Sequence, residues 1–422
     1  MNRRTTLQGL GAMGLMGAGA GVGGCRVGED AARLAAAEQL RSPGRGRLYT
    51  TPERRTPSLP EGAAARFGDV RVSALGTAGA TEGRWDRRDF GLDTPFRVAS
   101  VSKVLVAELA RRLAARGLLS MDADAGEALG TPLPHPGDPN TPITLRQLLS
   151  HRSGIRDPDV YWMAAPGDIR ALFVPQMWEP GARPGESFRY SNLNYGIAAT
   201  VMEAATGERF DRLFTREIAQ PLGLDIGFNW SGVSAAKRAS AFPGVRGADS
   251  VLGTGWEVQV DGAGILASDR PAILAEDGFD LADYVPGTNG TLFSPQGGLR
   301  ASLYDLVEIG RKIILPQTAL HAPTWVWDGD LRKGGPSEEG HFVAFGEGLY
   351  IYPGSEPFGA PAVGHHGEAY GIHCGVFVLP GTGEVFAYAD LGSSSEGAPM
   401  TGGVPNLPQP AAEAAAWMRE VG

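Results

Sequence analysis

The stretch "RVASVSKVLVAELARRLAARG", residues 97–117, sets where the fold's first long helix begins. Val101, Val104, Leu105, Leu109 and Leu113 recur at helical spacing, and Gly117 supplies a stop. Ser100 falls in the first turn, where free backbone N–H groups and the helix dipole favour a developing negative charge. Lys103 lies one turn later on the same face, within reach of the serine oxygen. The chain has only four lysines, Lys103, Lys237, Lys312 and Lys333, and otherwise uses arginine, which cannot release its proton at any useful pH. The spacing alone is a weak signal, because serine is a common helix cap. Ser234 and Lys237 repeat it in "SAAK", but "RASAFPGVRG" follows, which cannot continue as a buried apolar helix. That second copy is expected to be a loop or surface turn.

The 422 residues suffice for a large core, and a formal net charge of −9 gives no footprint for nucleic acid. Two cysteines, Cys25 and Cys374, cannot build a disulfide framework. Residues 1–25, "MNRRTTLQGLGAMGLMGAGAGVGGC", join Arg3-Arg4 to a weakly apolar stretch and end in "VGGC". They resemble a twin-arginine export signal closed by a lipoprotein box, with Cys25 as the lipidated residue. The expected location is outside the cytoplasmic membrane, in the periplasm or cell envelope, with membrane contact through that N-terminal lipid anchor only. "GLGAMG" inside this segment follows no strand and meets no acidic ribose partner, so it is not a dinucleotide site.

Residues 26–60 read as a short Ala-rich helix and a linker, and residues 61–422 as a single domain. "DVRVSALGTAG" and "GRWDRRDFG" suit two hairpin strands. "TLRQLLSHRSGI", "NYGIAATVMEAATGERFDRLFTREIAQPLGL" and "GGLRASLYDLVEIGRKIIL" read as helices. "FGEGLYIYP", "AVGHHGEAY", "GIHCGVFVLP" and "GEVFAYADL" return to strands, and "PAAEAAAWMREV" to a closing helix. Strands at both ends with helices between imply one sheet built from both termini. The expected class is α/β (α+β), an antiparallel sheet flanked by helices. Its sheet lobe spans about 61–117 and 295–422, and an inserted helical lobe about 118–294.

Two further motifs can carry chemistry. In "RYSNLNYG", Tyr190 beside an ammonium can act as a base, and Asn192 can both donate to and accept from a substrate amide. In "VGHHGEAYG", Gly367 within a strand marks close approach of another backbone or a ligand. His365 and His366 point to opposite faces of that strand and cannot easily share a metal ion, and His373 adds no zinc-like spacing. Neither metal nor cofactor is expected. Cys374, in a strand, is read as a small buried apolar residue.

In order, these motifs read S-x-x-K, Y-S-N and H-x-G, and with "LLSHRSGI" and "GGLRASLYDL" the chain resembles the serine beta-lactamase-like family. That family groups class C beta-lactamases, D-alanyl-D-alanine carboxypeptidases, D-aminopeptidases and related esterases. The resemblance covers nearly everything after the linker. It implies the beta-lactamase/transpeptidase-like fold and acyl transfer through a covalent intermediate, on an ester, a beta-lactam or a D-amino-acid peptide. Ser100 would be the nucleophile and Lys103 would help accept its proton. Tyr190 would be general base or proton relay, and which of the two holds the proton is a coupled question. Asn192 would hold the substrate's amide or carbonyl, and His365 would shuttle protons or bind substrate. The backbone N–H groups of Ser100 and of Glu368, the residue after Gly367, would form the oxyanion hole. The substrate would be a small molecule or peptide; neither the spacing nor the resemblance fixes the oligomeric state. The alternative is a non-hydrolytic penicillin-recognising binding or sensor protein of the cell envelope.

Two departures stand out. His366 occupies the middle of H-x-G where threonine is common, and no Lys or Arg lies between Lys333 and Arg419. Where carboxypeptidase-like members hold a substrate carboxylate with a cation, this chain offers Tyr350 and Tyr352, with Glu347 and Glu368 adding negative charge. Burying a carboxylate there without a cation would be costly. Arg300 reaching in, or His365 and His366 charging near neutrality, would supply one.

Overall fold

The structure, a computed structural model, describes residues 93–241, 279–330, 333, 344–355, 358–369 and 372–391 and the strand segments 47–49, 70–76, 245–246 and 257–258. The segment 1–25 with Cys25, the "GRWDRRDFG" strand and the C-terminal helix lie outside the described residues.

One antiparallel sheet organises the chain. Its strands are β1 (Arg47–Tyr49), β2 (Val70–Gly76), β3 (Trp325–Val326), β4 (Ala344–Phe345), β5 (Tyr350–Tyr352), β6 (Ala362–Ala369), β7 (Ile372–Leu379) and β8 (Glu384–Leu391). The spatial order is β1-β2-β8-β7-β6-β5-β4-β3. β2 pairs with β8 from Val70↔Leu391 to Gly76↔Val385, so the two ends of the chain close on each other as the pattern of strands implied. Every residue of β7 is buried, which is why "IHCGVFVL" reads as a continuous run rather than an alternation. The period of two survives in what the side chains meet. Cys374, Val376 and Val378 join the aliphatic core, whereas Phe377 and Leu379 join an aromatic cluster with Tyr352, Phe358, Phe386 and Tyr388.

The aliphatic core is made with α1 (Ser102–Ala115), α2 (Leu145–Leu149), α3 (Leu193–Thr206) and α4 (Leu303–Ile309). α1 buries Val104, Leu105, Leu109 and Leu113 as its spacing predicts, each contributing roughly 2 kcal/mol by area. α4 runs on into a π-helical turn over Gly310–Ile314. A Cβ on Gly310 would lie 2.3 Å from Val385 and 3.2 Å from Val376, so the helix rests directly on β7 and β8.

Three expected helices are shorter than their patterns. α2 starts from a Thr144/Gln147 capping box and stops at Leu149, because His151 (φ 56°) and Gly154 (φ 78°) turn the chain away. "GGLRAS" is not helical: Arg300–Ala301 pairs with Phe96–Arg97, and α4 begins only after Ser302 and Asp305 form a capping box. α3 ends at Gly207 in the left-handed region, and a new helix starts at Phe210.

Near the end of α3 the buried Glu203 carboxylate accepts hydrogen bonds from Phe210 N (2.8 Å), Tyr284 Oη (2.5 Å) and Gly287 N (3.0 Å). It pins two loops to the helix, and its burial raises its pKa to about 7. Glu203→Ala would strand two buried N–H groups and a hydroxyl. We expect it to cost about 3 kcal/mol of unfolding free energy, read from the urea midpoint at constant m.

Candidate active site

The turn that carries Ser100 is built before α1 starts. Phe96–Arg97 is paired with Arg300–Ala301, and Val98 N donates to Leu299 O at 3.0 Å. Ala99 then takes φ 45°, a left-handed conformation that costs a non-glycine residue about 1–3 kcal/mol. The chain makes one 3₁₀ turn, Ala99–Val101, and enters the helix. Val98, Ala99, Val101 and Ser102 are buried while Ser100 between them keeps partial access.

Lys103 is fully buried. Its Nζ donates to Ser100 Oγ (2.9 Å), Asn192 Oδ1 (3.0 Å) and Gln296 O (2.8 Å), three uncharged oxygens from three distant parts of the chain. The ammonium also sits over the rings of Tyr190 and Tyr195, 4.8 and 5.4 Å from their centroids.

"LLSHRSG" moulds "RYSNLNYG". His151 Nδ1 accepts from Ser191 N at 3.1 Å, and its ring stacks on Tyr190 with centroids 4.2 Å apart. Ser153 Oγ donates to Asn194 Oδ1, and Tyr195 Oη to Leu149 O, each at 2.8 Å. Burial first, then the Lys103 charge, hold His151 well below the usual histidine range, so it stays neutral. Asp157, which no motif singled out, accepts from Ser191 Oγ (2.8 Å), Asn192 Nδ2 (2.8 Å) and Leu193 N (2.9 Å).

β6 passes directly against the turn that carries Ser100. A Cβ on Gly367 would lie 2.3 Å from Val98 O and 3.3 Å from Ser100 N, so only glycine fits. Glu368 follows beyond the end of the β5 pairing. Its side chain is 46% exposed with a carboxylate oxygen 3.7 Å from His373 Nδ1, and partial desolvation raises its pKa. Cys374, behind Gly367, is buried with Sγ 3.3 Å from Val98 O, and burial pushes its thiol up. Ser100, Lys103, Tyr190, Asn192, His365, Gly367 and Glu368 thus gather at the junction of β6, α1 and the start of α3.

The expected cations fare differently. His365 is buried against Tyr350, ring centroids 4.5 Å apart, with Nδ1 on the His366 carbonyl. Burial and then the Lys103 charge lower its pKa to about 3, so it supplies no charge near neutrality. His366 points to the other side of β6, where Nε2 meets Tyr352 Oη at 3.0 Å and Nδ1 meets Tyr388 Oη at 2.8 Å. Gly375 leaves room for that arrangement, since a Cβ there would lie 2.5 Å from the Tyr388 ring. Arg300 does not reach in: it is buried over Trp230 and donates to Phe228 O at 3.0 Å and to Gly298 O. Glu347 is neutralised by Arg146, and Tyr350 and Tyr352 are buried. The second serine–lysine pair is structural. Ser234 Oγ caps a one-turn helix and donates to Asp225 (2.5 Å), while Lys237 pairs with Asp305.

Comparison with known proteins places this arrangement in a family. The sequence profile described as Beta-lactamase matches residues 59–389. Esterase EstB of Burkholderia gladioli is 32% identical over 201 residues, 42% of this chain and 48% of that protein. The D-alanyl-D-alanine-carboxypeptidase/endopeptidase AmpH of Escherichia coli is 28% identical over 145 residues, 32% of this chain and 36% of that protein. The chain therefore spans about half or less of the length of these curated relatives. The crystal structure of D-amino acid amidase from Ochrobactrum anthropi, complexed with L-phenylalanine amide, superposes with a TM-score of 0.54 at 19% identity. It covers 86% of this chain and 96% of the amidase, and shows that the two share a fold. The match of the profile to most of the chain makes this protein a member of the beta-lactamase family.

Proposed function

We propose that the protein is a serine hydrolase that cleaves esters and amides through an acyl-enzyme, favouring substrates with no carboxylate beside the scissile bond. The observation that carries the reading is the 2.9 Å contact between Ser100 Oγ and a buried Lys103 ammonium that also donates to Asn192 Oδ1 and Gln296 O. The names of the relatives, an esterase and a D-alanyl-D-alanine carboxypeptidase, are consistent with it.

In this scheme Ser100 Oγ attacks the carbonyl carbon as its proton passes to whichever of Lys103 and Tyr190 stands unprotonated at that moment. Negative charge collects on the carbonyl oxygen, facing the backbone N–H groups of Ser100 and Glu368. Asn192 holds the substrate's amide or carbonyl. The shared proton goes to the leaving oxygen or nitrogen, the C–O or C–N bond breaks, and water then releases the acyl group. The preference for uncharged substrates follows from the neutral His365, the engaged Arg300 and the half-exposed Glu368 carboxylate. The N-terminal Arg3-Arg4 and Cys25 support an exported, lipid-anchored form of this hydrolase.

Two outcomes are expected. A fluorophosphonate should label wild-type protein once, on Ser100. Ser100→Ala should abolish both labelling and p-nitrophenyl ester turnover, and wild-type turnover in that variant would sink the scheme. Stoichiometric labelling without turnover of an ester, a cephalosporin or a D-amino-acid amide would instead mark a binding protein. The second outcome concerns His365, whose folded pKa of about 3 lies below the unfolded value of about 6.5. The unfolded chain takes up the proton first, so the stability from this group is complete above pH ~6.5 and is lost as pH falls towards 3. His365→Gln should reduce proton uptake on unfolding at pH 5 by about one proton, read from the pH dependence of the urea midpoint.

A further inference from the structure

Asn192 is held between two groups of opposite character. Lys103 Nζ, which can only donate, lies 3.0 Å from its Oδ1, and Asp157 Oδ2, which as a carboxylate can only accept, lies 2.8 Å from its Nδ2. An amide between a pure donor and a pure acceptor has one orientation. Reversing it would set NH2 against ammonium and carbonyl against carboxylate, losing two charge-assisted hydrogen bonds together. The other Asp157 oxygen is fixed independently by Ser191 Oγ (2.8 Å) and by Leu193 N (2.9 Å), the first backbone N–H of α3. Asp157 is thus anchored to the helix start, where a carboxylate is favoured by the dipole.

We propose that Asp157 is the positioning residue of this site. It sets the direction of the Asn192 amide, and through it the place of the Lys103 ammonium beside Ser100 Oγ. Asp157 Oδ2 accepts from the Asn192 amide, whose oxygen in turn accepts from Lys103 Nζ, so the carboxylate acts on the lysine's place through that side chain. The effect on Ser100 rests on the acyl-enzyme reading; the effect on Asn192 does not.

The test uses three variants of the full chain. Asp157→Asn is isosteric, but its NH2 must displace one of the donors now at 157. It should lower the rate of fluorophosphonate labelling of Ser100 by about 30-fold, with a far smaller change in KM for a p-nitrophenyl ester. Asn192→Asp alone sets two carboxylates face to face and should be at least as slow. Combining Asp157→Asn with Asn192→Asp restores a donor–acceptor pair, with a carboxylate oxygen still facing Lys103, and should label at least fivefold faster than either single variant. Labelling of Asp157→Asn within threefold of wild type, or a double variant no faster than the singles, overturns the proposal. The Asn192 side-chain amide protons give a second readout by heteronuclear NMR. They should exchange at least tenfold faster in folded Asp157→Asn than in wild type, and equal exchange overturns the proposal even in a protein that never acylates. Absence of labelling in the wild type, by contrast, would count against the acyl-enzyme reading alone.

Discussion

The site depends on one buried cation. Lys103 brings its ammonium to a fully enclosed point and satisfies it with oxygens from Ser100, Asn192 and the Gln296 backbone. Removing an ammonium from water is expensive unless every hydrogen finds an acceptor. The loops that supply those oxygens therefore have little freedom to move apart. The turn before α1, the start of α3 and the loop before Arg300 are fastened by that one requirement. Ser102 Oγ adds to it by accepting from Leu299 N at 3.0 Å.

Around this point the protein replaces charge with neutral, buried groups. His151 and His365 would each repel the ammonium if protonated, and burial keeps both uncharged. His366, on the far side of β6, is absorbed into an aromatic layer between two tyrosine hydroxyls. The middle histidine of H-x-G thus belongs to the packing behind the sheet. At the rim the described residues present the half-exposed Glu368 carboxylate.

The sheet and the long helix after Ser100 were legible because local rules govern them, whereas the left-handed Ala99 and the 3₁₀ turn that carries Ser100 were not. Period-two and continuous apolar runs gave β6, β7 and β8 almost to the residue, and apolar spacing gave α1. Gly367 was readable as a point of close approach because its missing side chain has a local signature. The helices that came out short failed for a tertiary reason. His151 is driven into a left-handed turn by its contacts with Ser191 and Tyr190, and Arg300–Ala301 is captured as a strand by Phe96–Arg97. Asp157 and the Gln296 carbonyl carried no signal, since an aspartate in a loop and a backbone oxygen look alike everywhere in a sequence. The charge state of His365 was equally hidden, because burial and the distance to Lys103 exist only once the chain has folded.

The contact of Cys374 with Val98 joins residues 276 positions apart, and Gly367 backs the same turn from almost as far away. During synthesis α1 and the turn that carries Ser100 emerge first, whereas β6, β7 and the closing strand β8 follow long after. Until β6 is laid against Val98, the turn lacks the wall that Gly367 gives it. A ribosome-bound or prematurely terminated chain can carry Ser100 and Lys103 in helical register and still have no assembled site. The order of translation thus acts as a lock that opens only once β6 and β7 have followed α1 off the ribosome.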